Sequence, residues 1–114
     1  MEKIVNYIVA MGIPGLILLI AIGLTGLSGA AAITAALAAI GPGGMIGGII
    51  TLGVAGVIAH AISEYGFDRL TKAVVKELYK RGESKESLKN KINSYPITSK
   101  LKLKVLKYID TKLG

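Results

Sequence analysis

Residues 14–26 read PGLILLIAIGLTG, an uncharged stretch with large aliphatic side chains on every face of any helix it forms. A helix apolar all round has to be buried, in protein or in lipid. At 1.5 Å per residue this one is only about 20 Å long, against a hydrocarbon layer of about 30 Å. Alone it is too short to cross a membrane, so its neighbours decide the fold.

Those neighbours are also uncharged. Between Lys3 and Glu64 there is no Asp, Glu, Lys or Arg, and the only polar side chains are Asn6, Tyr7, Thr25, Ser28, Thr34, Thr51, His60 and Ser63. That run is long enough for two spans at about 20 residues each. The chain is 52% apolar with a mean hydropathy of +0.58, above the roughly 45–50% of globular domains. All but one of the 14 Lys and Arg and all but one of the seven acids follow residue 63, so residues 64–114 carry the whole net charge of +7. Two regions are expected: hydrophobic and membrane-embedded over 1–63, basic and amphipathic over 64–114.

Glycine and proline mark the turns. Residues 2–10 suit a short interfacial helix, and Pro14 suits the first turn of the helix that follows. Gly26 and Gly29 mark a kink or break, which leaves residues 14–40 as either one tilted helix or two short ones. Ser28 is a candidate N-cap for GAAAITAALAAI, whose larger residues Ile33, Leu37 and Ile40 form a narrow stripe. Gly41, Pro42 and Gly43 form a turn, after which residues 45–62 supply a second span.

On that second helix Gly44, Gly48, Thr51, Ala55 and Ala59 fall on one face at steps of four, three, four and four. In lipid, helices associate through close backbone approach, which small residues at this spacing permit. The partner is either GAAAITAALAAI of the same chain or a second copy; a merely permissive membrane composition is the plainer alternative. Tyr7 at one end of the run and Tyr65 with Phe67 at the other occupy interfacial positions. Both termini then share a side, and the basic tail makes that side cytoplasmic.

In the tail, Phe67, Leu70, Val74 and Leu78 share one helical face, with Arg69, Lys72, Lys76, Lys80 and Arg81 elsewhere. Leu88, Ile92 and Tyr95 define a second short helix stopped by Pro96; Ser84 and Ser87 do not make the usual capping box. A third places Leu101, Val105 and Tyr108 together, with Lys100, Lys104 and Lys107 outside. Anionic lipid attracts each such cation by about 1 kcal/mol. The plain alternative is a solvated lysine face, and nucleic acid is not expected because no recognised binding motif accompanies the charge.

Catalysis is not expected. The absence of cysteine excludes disulfides and thiolate sites, the single histidine His60 has no partner for nucleophile activation, and no metal-ligating cluster or cofactor motif is present. His60 offers a pH-sensitive group, or simply a polar cap on the apolar band.

The segment SGAAAITAALAAIGPGGMIGGIITLGVAGVIA resembles the core of the small interferon-inducible hydrophobic membrane proteins, in which an alanine-rich helix, a glycine cluster and a second small-residue helix follow one another. The resemblance covers about a third of the chain and implies membrane association and a role in cell death or defence; the lysine-rich tail has no counterpart there. The layout also resembles holins and small membrane-acting toxins. The expected fold is all-α: a membrane hairpin of two, or three, hydrophobic helices with a basic amphipathic tail. The expected function is an oligomer that permeabilises a membrane, the alternative a membrane adaptor docked on a larger partner. A third reading is a bundle that hides its Gly/Ala helices until triggered.

Overall fold

The computed structural model describes residues 1–41 and 52–113, and every regular element among them is an α-helix. The helices are α1 (Glu2–Ala10), α2 (Ile13–Leu24), α3 (Gly29–Ile40), α4 (Leu52–Tyr65), α5 (Phe67–Lys80), α6 (Lys85–Asn93) and α7 (Ser99–Lys112). No single helix among the described residues is long and apolar enough to cross a membrane.

The uncharged helix α2 is the axis of the fold. Every side chain from Ile13 to Ile22 is buried, and all six other helices touch it. Its burial is shared between the two compositional halves of the chain. From the hydrophobic half α1, α3 and α4 pack on it; from the basic half come the amphipathic helices α5, α6 and α7, which turn Leu70, Val74, Leu88, Ile92, Val105 and Ile109 toward one continuous core. The radius of gyration, 12.5 Å, is close to the roughly 13 Å of a globular domain this size. The basic tail therefore closes the core and does not trail from it.

Between α1 and α2 the chain bends by 119°. The bend sits at Gly12, whose φ of +67° is a conformation that glycine adopts at little cost. Just beyond it, a Cβ on Gly15 would stand 2.5 Å from the Ile8 carbonyl oxygen, so the two helices meet backbone to backbone.

Residues 14–40 form two helices, resolving the alternatives left open by the sequence. The break holds Gly26 (φ +68°) and Gly29 (φ +58°), and the Thr25 hydroxyl donates to the Ile22 carbonyl at 2.7 Å while accepting from the Leu27 N–H. Ser28 is the N-cap residue of α3, although its hydroxyl makes no capping bond. The buried edge of α3 is Ala32, Ala36 and Ile40, with Ile33 and Leu37 half-buried beside it. The expected stripe is thus displaced toward alanine, because α2 supplies bulk enough to need small neighbours.

Local chemistry sets the tail helices. The end of α5 is a Schellman motif: the Gly82 N–H donates to the Tyr79 carbonyl, and the Glu83 N–H to that of Leu78. At the start of α6, Ser84 and Ser87 form a reciprocal capping box, with each hydroxyl accepting from the other's backbone N–H at 3.1 and 2.8 Å. Serine replaces the usual Glu or Gln at the third position, correcting the expectation that no box forms.

Candidate functional site

Three features bear on function: the enclosed helix α2, the faces presented by the lysines, and the small-residue seam. Ala55 and Ala59 of the seam are buried inside the chain, where α4 packs on α2 and α3. Over this stretch the seam serves packing within one molecule. Gly44, Gly48 and Thr51, with the turn residues Pro42 and Gly43, lie outside the described residues. Of the remaining turn residues, Pro14 sits in the first turn of α2 and Gly41, at φ +114°, ends α3.

The expected membrane-facing cations are all exposed: Arg69, Lys72, Lys76, Lys80 and Arg81 on α5 and its cap, and Lys100, Lys104 and Lys107 on α7. The surroundings of the two sets differ. Around α5 acids are interspersed, and Arg81 pairs with Glu77 at 3.0 Å. On α7 the three lysines flank Leu103, which is 70% exposed. Lys100 and Lys104 line a shallow cleft with Ala38 and Ala39 of α3, and Lys104 and Lys107 line another with Leu24 at the end of α2. Asp110, the acid on α7, is turned to α6, where it accepts from Lys89 at 2.9 Å and lies 3.5 Å from Lys85. Hydrogen bonding to Lys89 holds the Asp110 carboxyl below its ordinary pKa.

Position Thr98 joins the α7 face to α3. Its hydroxyl donates to the Ala39 carbonyl at 2.5 Å and accepts from the Leu101 N–H, while its own N–H donates to the Ile40 carbonyl at 3.1 Å. One residue therefore caps the start of α7 and the end of α3.

Phe67, at the expected interfacial position just after the apolar run, is half-buried against α7. Its ring stacks on Tyr108 at 4.9 Å and covers Gly23, where a Cβ would collide with it. Gly23, set between the bulky Ile22 and Leu24, was the sequence signal for such an approach. Burial first, and the hydrogen bond to Asp68 second, raise the Tyr108 phenol well above its ordinary pKa.

His60 is exposed on α4, 3.5 Å from the Glu64 carboxylate. Both line an open cleft of about 950 Å³ between α1 and α4, with Glu2, Lys3 and Val57 nearby. Among the described residues no group of three or more His, Cys, Asp and Glu is placed to hold a metal ion.

No protein-family model matches the chain, and no curated protein or solved structure shows a significant similarity to it.

Proposed function

We propose that this chain is a membrane-perturbing effector: a packed form encloses α2, a membrane-bound form releases it, and assembled copies permeabilise the bilayer. The observation that carries this reading is a helix apolar on every face, wrapped by six others and linked to α1 through a glycine bend. Each buried Ile or Leu of α2 gains about 1.5–3 kcal/mol on leaving water. Lipid supplies the same gain, so moving α2 from core to bilayer changes that term little. What remains is to cover the apolar faces of α5–α7, and amphipathic helices can do so at the membrane interface.

Length agrees with this reading. Straightened at Gly12, residues 2–24 would extend about 34 Å, enough for a hydrocarbon layer of about 30 Å. Pro14 would then lie inside the helix, a position that membrane helices tolerate. In that state the spans of residues 2–24 and 45–62 form a hairpin that assembles through Gly44, Gly48, Ala55 and Ala59, with both termini on the cytoplasmic side. The second reading, a membrane adaptor, draws on the α1/α4 cleft, which has room for a segment of a larger partner.

Dye release from liposomes tests the proposal. Release is expected together with carbonate-resistant retention of the protein, and Gly48→Leu is expected to reduce release and oligomer size. Retention without release at any protein-to-lipid ratio would remove the permeabilising role and favour the adaptor.

A further inference from the structure

We propose that the outer face of α7, with the adjoining end of α2 and shoulder of α3, is the docking surface for an anionic lipid bilayer. This inference rests on the membrane-acting role proposed above and specifies its first step.

Two properties coincide there. Lys100, Leu103, Lys104 and Lys107 lie within one arc of α7, at spacings of three, four and seven from Lys100, and none of the three lysines is ion-paired with a described residue. Beside them the surface is uncharged: Leu24 and Leu27, at 38% and 54% exposure, follow from α2 into the exposed alanines of α3. Cations bordering a shallow apolar shelf suit phospholipid, because ammonium groups reach the phosphates while aliphatic side chains enter the acyl boundary.

A nucleic acid would use the charge but leave Leu103, Leu27 and Leu24 in water. The α5 lysines Lys72 and Lys76 also border apolar groups, Tyr79 and Leu113, but Asp68 and Glu77 share their helix and dilute its positive charge. The α7 face also abuts the C-terminal end of α2, so docking there brings lipid to the helix to be released.

Sedimentation with sucrose-loaded vesicles of phosphatidylcholine, with and without 30% phosphatidylserine, tests the assignment in the full chain. At about fivefold per lysine, the triple variant Lys100→Gln/Lys104→Gln/Lys107→Gln is expected to bind phosphatidylserine vesicles about 100-fold more weakly. The matched triple Arg69→Gln/Lys72→Gln/Lys76→Gln should stay within about tenfold of the parent. Both sets are exposed, and unchanged helical circular dichroism will show that both variants fold. An environment-sensitive fluorophore on Leu103→Cys is expected to shift to the blue with anionic vesicles, and one on Lys72→Cys to stay unchanged. Equal loss from the two triples, equal binding to neutral vesicles, or retention on duplex DNA alone would overturn the proposal. Dye release followed in the same samples separates the two ideas: docking through α7 without release keeps this surface and removes the permeabilising role, whereas release indifferent to the α7 lysines does the reverse.

Discussion

The Tyr108 hydroxyl donates to Asp68 at 2.6 Å while its ring stacks on Phe67, and that stack closes over Gly23 of the central helix. Through this one contact α7 and α5 hold the C-terminal end of α2. Gly23→Ala is expected to push the Phe67 ring aside and cost about 1–3 kcal/mol by overpacking. Tyr108→Phe, which keeps the ring and removes the bond to a carboxylate, should cost about 1–2 kcal/mol, the full value being discounted because Asp68 is exposed. Urea midpoints of the two variants check both figures.

The bend at Gly12 provides a functional test separate from packing. A Cβ there would meet nothing closer than Pro14 Cδ at 4.0 Å, so Gly12→Ala carries only the strain of a backbone at φ +67° and ψ −145°, a region nearly reserved for glycine, about 1–3 kcal/mol. It should lower stability by that amount and accelerate dye release, because the strain disappears when α1 and α2 straighten. Gly15→Ala, which collides with the Ile8 carbonyl, should lose more stability. Release unchanged in Gly12→Ala at equal membrane binding would count against the hinge.

Thr98→Val keeps the shape of the side chain and removes its hydroxyl. Both the α7 cap and the tie to the Ala39 carbonyl go with it, at an expected cost of about 1–2 kcal/mol. Hydrogen exchange should quicken at the C-terminal end of α3 and the first turn of α7 together; protection lost in only one of them would show that the residue does not couple the two.

Glu83 makes the tail helices sensitive to acid. The Lys91 ammonium, then the Ser87 hydroxyl, hold its carboxyl below the ordinary value of 4.5. A depressed folded pKa stabilises the protein above the unfolded value, and that stability is lost as pH falls through the folded one. With Lys91 half-exposed, the contribution is about 0.5–1 kcal/mol. Glu83→Gln should therefore lower stability at pH 7 by this much and converge on the parent well below pH 4; a difference that persists undiminished in acid would assign the loss to packing instead.

Sequence alone determined the local structure. Glycines at 26, 29 and 41 coincide with breaks or ends of helices, and Leu70, Val74 and Leu78, like Leu101, Val105 and Tyr108, are the inward faces that their periodicity marked. These features depend on φ preferences and on the 3.6-residue repeat, both properties of neighbouring residues. Tertiary structure decided the rest: that α5, α6 and α7 wrap α2, that Ala55 and Ala59 are spent on packing within one chain, and that Thr98 ties α7 to α3. Periodicity says which face of a helix is apolar and leaves open which other apolar face it meets. For α2 the ambiguity was complete, since a helix without a polar face is served equally well by lipid and by a protein core. It was resolved by the amphipathic faces of α5, α6 and α7, distant in sequence, which bury their own apolar stripes by covering α2.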